Sequence, residues 1–455
     1  YSRMLKLSEI LKATRGRLTQ GSSSRTVKGV SIDSRKIKKG SLFIAIRGEK
    51  FDGHDFIDEA VKKGAACIIK EKNRPYRTKA PAAIEVKDTQ KALGDIANFW
   101  RNKFSVPVIA VTGSNGKTTA KDMIAWVLSK KFKVLKNQGT KNNQIGLPLT
   151  LLNLDASHDM AVLELGTNHF GEIGYLSRVA APNIGAITNV GPAHLEHFGD
   201  LAGVFKEKYS LIRGLNSPAI AILNSDDDFL RGRIIQKANK PLILGFGIEN
   251  QSDFFASNIK QYKDKLDFRV NAKYSFSLKA LGRHNIYNAL VAISIARVFG
   301  LGYNEIAERL ISFSFPDSRL KAMRIKGVCF IDDTYNANPD SLKQALNSLG
   351  KFKASGRKIF VMGDMLELGK RAIFYHEQAA SDVAKVCDAF IAVGKLAKFT
   401  ARRLGKSGGF KVKDIFSCAQ ALQARDILRN KLKVKKDDVI LVKGSRLMKM
   451  EEVFK

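Results

Sequence analysis

The stretch Val111-Thr112-Gly113-Ser114-Asn115-Gly116-Lys117-Thr118-Thr119 decides the fold. It follows an apolar run, Val106 to Val111, and leads into a helix-like segment, Ala120 to Lys131. Strand, glycine loop, Lys-Thr and helix, in that order, read as a phosphate-binding loop. Backbone N–H groups at such a helix start point at the ligand, and the helix dipole favours negative charge. The lysine reaches the terminal phosphates, and the hydroxyl after it is placed to hold Mg²⁺. The loop is a shorter variant: where the common pattern begins with glycine, this chain has Val111, and its first glycine is Gly113. A plain glycine turn accounts for the glycines but not for Lys117 and two threonines opening the helix.

Working outward, apolar runs alternate with amphipathic stretches. Upstream come Ser41 to Ile46, a helix-like Phe56 to Lys63, Ala65 to Ile69, and a helix over Asp88 to Phe104. Downstream come Met160 to Leu165, Ile184 to Val190 and Ala219 to Leu223, then a strong helix by apolar spacing, Asn285 to Phe299. Phe313-Ser314-Phe315-Pro316-Asp317 reads as a linker, followed by Val328 to Ile331, Lys358 to Met362, Ala389 to Val393 and Val439 to Val442. Strands alternating with helices imply parallel sheets with right-handed crossovers. The expectation is an α/β chain of three domains: a small N-terminal unit over 1–103, a central nucleotide-binding unit over 104–314 and a C-terminal Rossmann-like unit over 315–455.

Composition bounds the function. A chain of 455 residues exceeds what one core covers, and 44% hydrophobic with 26% charged residues is a globular balance. No apolar run approaches the roughly 18 residues of a membrane span, so no membrane insertion is expected. The segment Tyr1 to Lys6 lacks the apolar core of a secretory leader, with Met4 a candidate native start. Cys67, Cys329, Cys387 and Cys418 are far apart without a Cys-x-x-Cys pair, and Cys67 and Cys329 lie in apolar runs. Buried free thiols are expected, which fits the cytoplasm. The charge of +34, from 77 Lys and Arg against 43 Asp and Glu, raises nucleic-acid binding as an alternative. The basic residues are spread along the chain with no RNA- or DNA-binding signature. The reading is a solvated basic surface that also attracts an anionic small substrate, with no nucleic-acid partner and a monomer as the default.

The central unit carries the chemistry. In open α/β sheets ligands sit beyond the carboxyl ends of the strands. Glu164 interrupts an apolar strand near its end, where a carboxylate is costly unless paired or bound to a metal. The run Ile187-Thr188-Asn189-Val190 leads into Gly191-Pro192-Ala193-His194. Alone, Glu164 reads equally as a buried hydrogen-bonded carboxylate and His194 as a loop histidine. Beside a phosphate loop, Thr118, Glu164 and His194 read as a Mg²⁺ site around a nucleotide.

With the Leu163-Glu164-Leu165-Gly166 strand and the Ala193-His194-Leu195-Glu196 loop, the phosphate loop resembles that of the Mur ligases, ATP-dependent amide-bond-forming enzymes of peptidoglycan assembly. The likeness extends over the chain. Ser31-Ile32-Asp33-Ser34-Arg35 and Asp52-Gly53-His54-Asp55-Phe56 resemble the family's UDP-sugar domain, and Gly282-Arg283-His284-Asn285 its adenine-pocket helix. Ile331-Asp332-Asp333-Thr334-Tyr335-Asn336-Ala337-Asn338-Pro339, Met362-Gly363-Asp364-Met365-Leu366-Glu367-Leu368-Gly369 and Val442-Lys443-Gly444-Ser445-Arg446 resemble the branch that adds D-alanyl-D-alanine. The sister branch adding diaminopimelate or lysine would carry a Tyr-Ala-His-x-Pro segment and a later Asp-Asn-Pro-Arg-like motif, and this chain has neither.

The resemblance implies UDP-N-acetylmuramoyl-tripeptide and D-alanyl-D-alanine as substrates, with ATP and Mg²⁺. It implies that Gly113, Ser114, Asn115, Gly116, Lys117, Thr118 and Thr119 cradle the phosphates, and that Asn285 and Asn336 contact the nucleotide. Arg319 would reach the phosphates from the third domain, with Lys321 a rival. Thr118 and Glu164 would hold one Mg²⁺, and His194 would belong to a second metal site. A lysine carbamylated by CO₂ is expected near Phe205-Lys206-Glu207-Lys208, where two lysines compete and the spacing after His194 favours Lys208. Ser34 and Arg35 are candidates for the UDP end, and Thr140, Asn142 and Asn143 for the muramoyl-peptide. His376 is open between a site role and packing. Whether the third peptide residue is diaminopimelate or lysine is not in the sequence.

Overall fold

The computed structural model describes residues 4–235, 241–262, 265–406 and 414–454. Its strands fall into four sheets. The N-terminal region has a five-stranded sheet in which Val30–Ser31, Leu42–Ile44, Cys67–Glu71 and Ala83–Val86 run parallel and Arg17–Gln20 closes one edge antiparallel. A two-stranded ribbon, Met4–Lys6 with Thr26–Lys28, stands beside it. The helix Thr89–Arg101 starts on Asp88, whose side chain accepts from the Lys91 N–H, and buries Leu93, Ile96 and Trp100 against this sheet.

The central sheet has nine strands. Its middle is parallel: Ile220–Asn224, Ile184–Ile187, Val108–Thr112, Met160–Glu164 and Val134–Lys136 lie side by side in that order. Val108–Thr112 is buried at every residue because helices cover both faces, which is why it reads as a continuous apolar run. The helix Lys117–Leu128 packs on one face with His284–Val298, whose interior is apolar nearly all round and fully enclosed. The helices Glu172–Ala180 and Leu201–Arg213 cover the other face.

The alternation of strand and helix does not hold throughout. Beyond Leu242–Gly247, the strands Phe254–Gln261, Leu266–Val270 and Tyr274–Leu278 extend the same sheet, and the last two join by antiparallel pairing. Short connections between these strands leave no room for a crossover helix, so they can only turn back. They alternate buried and less buried residues, the mark of a sheet with one face covered.

The third sheet has six strands in the order Lys321–Ile325, Val328–Asp333, Val439–Lys443, Lys358–Gly363, Ala389–Val393, Asp414–Cys418. All pairs are parallel except the first hairpin. Phe313 to Asp317 lies in the connection between the helix Tyr303–Ile311 and this sheet, where the linker was expected. Among the described residues no disulfide joins the four cysteines; Cys67 and Cys387 are buried, whereas Cys329, on the strand next to the edge strand Lys321–Ile325, is only half-buried. Among the described residues no helix is long and apolar enough to cross a membrane.

Candidate active site

The carboxyl ends of the central strands and those of Val328–Asp333 and Val439–Lys443 in the third sheet face each other across a cleft of about 600 Å³. The phosphate loop forms its floor. Gly113 has φ +151 and lies so close to Thr188 that a Cβ would sit 1.9 Å from Oγ1; at Gly116, with φ +81, a Cβ would sit 2.4 Å from Asn288 Oδ1. Both glycines are therefore required by close approach as well as by backbone angle. The neighbouring strand end ties the loop down: Ser114 N–H donates to Asn189 O at 3.0 Å and Asn115 N–H to Asn189 Oδ1 at 2.9 Å. With those two amides occupied, donors remain at the helix start, Lys117 to Thr119, whose N–H groups have no intrahelical acceptor.

Lys117 folds back over the loop, Nζ donating to the carbonyls of Gly113 at 2.8 Å and Ser114 at 3.2 Å. Burial pulls its pKa down, with Glu164 opposing and Arg319 adding to the shift. Thr118 Oγ1 donates to Glu164 Oε2 at 2.8 Å, and Asn142 Nδ2 donates to Oε1 at 2.7 Å. Glu164 is only 2% exposed, so these contacts satisfy what would otherwise be a costly buried carboxylate. Asn137 pairs with the Glu164 backbone in both directions and fixes the strand end.

The third sheet supplies the opposite wall. Arg319 Nη2 donates to Thr118 Oγ1 at 3.0 Å, and its guanidinium lies 4.0 Å from the Tyr335 ring centre. Lys321 pairs instead with Asp317 and stays half-exposed outside the cleft. Asn336 lines the cleft, and its carbonyl accepts from Lys443 Nζ at 2.9 Å. Lys443 also pairs with Asp333 Oδ2 at 2.6 Å. Asn338 Nδ2 donates to Asn115 Oδ1 at 2.8 Å, joining the two walls. Asn285 faces the cleft from the start of its helix, anchored by donation to Leu281 O at 2.8 Å. The adjacent His284 is pulled down to about 4 by burial and by Lys443, so it is neutral at ordinary pH.

His194 lines the cleft in left-handed backbone, φ +54, with Nδ1 2.7 Å from Glu367 Oε2. The separation is that of a close polar contact, but Nδ1 makes no well-directed hydrogen bond. The helix Leu201–Arg213 separates the two candidate lysines: Lys206 is exposed, while Lys208 is 2% exposed. Among the described residues Lys208 has no hydrogen-bond partner. Burial pulls its pKa well below the usual lysine value; Lys117 adds to the shift and Glu207 opposes it. Glu207 is engaged elsewhere, accepting from the N–H groups of Gly171 and Ile173 at 2.7 Å.

Thr140, Asn142 and Asn143 also line the cleft. Asn143 also caps the helix Gly146–Leu151, accepting from Gly146 N–H at 2.9 Å. Ser34 and Arg35 lie outside the cleft on the N-terminal sheet. Ser34 Oγ donates to Glu59 at 2.8 Å, and the exposed Arg35 pairs with Asp33 at 2.9 Å. His376 is buried away from the cleft, accepting from Met365 N–H at 3.0 Å and donating to Ala372 O at 2.7 Å, so it packs the third domain. Residues that sequence reasoning passed over are Asn189, Tyr335, Asn338, Glu367 and the Asp333–Lys443 pair. Several lie inside quoted motifs, but nothing local to them tells which distant segment they meet.

The oxygens present suit Mg²⁺: a hydroxyl and a carboxylate side by side, buried and flanked by an amide. Among the described residues no three His, Cys, Asp or Glu side chains are grouped to hold a metal by themselves. Such a metal would have to complete its shell with substrate phosphates, as Mg²⁺ commonly does.

Comparison with known proteins agrees with this architecture. Residues 26–101 match the Mur ligase family catalytic domain, 111–296 the Mur ligase middle domain, and 318–446 the Mur ligase glutamate ligase domain. The chain is 34% identical over 454 residues to a UDP-N-acetylmuramoyl-tripeptide–D-alanyl-D-alanine ligase of Bacillus subtilis, covering 99% of this chain and 97% of the relative. It superposes on the crystal structure of MurF from Acinetobacter baumannii with a TM-score of 0.90 and 31% identity, covering 99% and 98% of the two chains. It superposes on the MurF ligase of Thermotoga maritima in complex with ADP with a TM-score of 0.82 and 29% identity, covering 93% and 95%. With a phosphate loop on the central sheet, a facing wall from a third sheet and this likeness along nearly its whole length, the chain belongs to the Mur ligase family.

Proposed function

We propose that the chain uses ATP to join D-alanyl-D-alanine to UDP-N-acetylmuramoyl-tripeptide, forming the UDP-muramoyl-pentapeptide precursor of peptidoglycan with ADP and phosphate. The observation that carries the reading is that Lys117, Thr118 and Glu164 face Arg319 and Asn336 across one cleft. Ligases bearing that name are similar to it from end to end.

In this reading the terminal carboxylate of the tripeptide attacks the γ-phosphorus of ATP and ADP leaves. The dipeptide amine then attacks the acyl carbon, loses a proton, and the tetrahedral intermediate collapses to an amide with phosphate expelled. Little covalent help is needed; positioning and charge neutralisation are. Lys117 and the amides at the helix start bind the terminal phosphates, and Arg319 closes on them from the third sheet. The loop residues Gly113, Ser114, Asn115, Gly116 and Thr119 shape the cradle. Asn285 and Asn336 hold the adenine nucleotide. Thr140, Asn142 and Asn143 contact the muramoyl-peptide, and Ser34 and Arg35 the UDP end, where a guanidinium suits phosphate oxygens. Thr118 and Glu164 hold Mg²⁺, with His194 and Lys208 at a second metal position, and the metal supplies neutralisation of phosphate charge.

Lys208 would serve there as its carbamate. Its neutral amine adds to CO₂, forming an N–C bond and releasing a proton, which converts a cation into a metal-binding anion. The burial and the missing partner of Lys208 support this, because a depressed pKa supplies the neutral nucleophile. We further propose a cytoplasmic monomer built of units 1–103, 104–314 and 315–455.

A coupled phosphate-release assay with ATP and UDP-muramoyl-tripeptide tests the reaction. Release that depends on D-alanyl-D-alanine is expected. Equal release with a single amino acid would replace this reading by that of the sister ligase.

A further inference from the structure

Glu367 and His194 meet across the boundary between the central and third sheets, and both hold left-handed backbone, with φ +66 and +54. Left-handed backbone is uncommon outside glycine, less so for histidine than for glutamate, and at Glu367 it persists because the surroundings fix it. The fixing is visible on both sides. The Glu196 N–H donates to the Glu367 carbonyl at 3.1 Å. Leu195 and Phe198, each 4% exposed, sit in one apolar cluster with Met365 and Leu368. Gly369, at φ +55, comes so close that a Cβ there would lie 3.0 Å from Glu196 Cα. The His194 turn belongs to the central unit by sequence but is packed into the core of the third.

We infer that Glu367 is a positioning residue for the reaction: docking of the strap Glu367-Leu368-Gly369 sets the His194 ring and makes its presentation to the cleft conditional on the third domain being in place. The carboxylate lies 2.7 Å from Nδ1 and holds the ring by proximity and charge, the orienting effect of an outer partner on a functional histidine. The third sheet then completes the cleft twice, directly through Arg319 and Asn336 and indirectly through His194. The kinetic consequence rests on the reaction proposed above, whereas the docking does not.

The test combines phosphate release under the full substrate set with amide hydrogen exchange on the ligand-free chain. Glu367→Ala is expected to lower kcat about 10–100-fold with little change in KM for ATP or the peptides. Glu367→Gln, which still places a polar side chain against Nδ1, should recover part of that loss. On a His194→Ala background, Glu367→Ala should cost nothing further. Gly369→Ala should speed exchange at the Glu196 amide without any substrate present. The proposal is overturned if Glu367→Ala keeps the parent kcat, if its loss repeats in full on the His194→Ala background, or if Gly369→Ala leaves Glu196 exchange unchanged. A parent chain with no dipeptide-dependent release would remove the proposed reaction, and the exchange arm would still decide the docking.

Discussion

The phosphate loop and the helix Leu201–Arg213 each hold a lysine away from bulk solvent, and they treat it differently. Lys117 sits among acceptors: two loop carbonyls hold its Nζ, and Glu164 supplies a counter-charge. Lys208 is more deeply enclosed, at 2% exposed against a half-buried Lys117, has no hydrogen-bond partner among the described residues, and feels Lys117 as a second cation. A buried ammonium with acceptors remains a tool for binding anions. A buried ammonium without them is destabilising and tends to its neutral form. Burial lowers the pKa of both, but Lys208 much further, and only Lys117 has acceptors; the proposed chemistry, phosphate binding at one and carbamate formation at the other, follows that difference.

The largest expected effect comes from removing the cation that has partners. Lys117→Ala should lower kcat on the order of 10³-fold, as when a main charge-stabilising donor is lost, read by steady-state phosphate release; a loss under tenfold would dissolve the contrast. Lys208→Ala should lower it about 10²-fold, the upper range for a group that tunes a metal site. The parent should lose a carbamate mass increment in native mass spectrometry when bicarbonate is removed, whereas the variant should never carry it. Full activity in that variant would end the carbamate assignment.

The hydrogen bonds that only Lys117 makes predict different stability changes for the pair. In bicarbonate-free buffer the folded chain binds a proton at Lys208 more weakly than the unfolded chain does. The unfolded state then carries more protons, so stability rises with pH between the depressed pKa and the ordinary lysine value. Lys208→Met should therefore raise Tm near neutral pH by roughly 2–4 °C for each kcal/mol relieved, with the gain shrinking toward high pH. Lys117→Met should lower Tm, because the Gly113 and Ser114 carbonyls lose their donor. Calorimetry that found the same sign for both would break the comparison. The smallest effects concern the opposite wall. Arg319→Lys should cost about tenfold in kcat/KM, the worth of one charge-assisted hydrogen bond, while Lys321→Ala, whose exposed pair with Asp317 lies outside the cleft, should leave kinetics at the parent level.

Much of this was legible in the chain. The phosphate loop is contiguous, and each of its parts, glycines, lysine and threonine, has a local chemical reason, so reading it required no partner. Glu164 was legible for a related reason: a carboxylate inside an apolar strand signals its own cost. Lys208 was harder. Spacing favoured it over Lys206, but only the helix register shows that one points into the core and the other into water. Arg319 and Lys321 stood equal in sequence and separate only because the hairpin Lys321–Ile325 with Val328–Asp333 carries the second away from the cleft. The antiparallel strands after Leu242–Gly247 escaped notice because short alternating segments look like loops until their pairing partners are known.

The sequence by itself determined the α/β class, the nucleotide loop and the chemical types gathered around it, since these follow from period, local turn chemistry and the cost of burying charge. The tertiary structure decided which distant groups share the cleft: Arg319 on Thr118, Asn338 on Asn115 and Glu367 on His194. Those pairings join residues more than a hundred positions apart, so they are set by how the central and third sheets dock rather than by any local preference of the chain. Burial too belongs to the packed layers and not to the residue: Lys208 is enclosed on its helix against the central sheet, whereas Arg35 in the N-terminal region stays exposed.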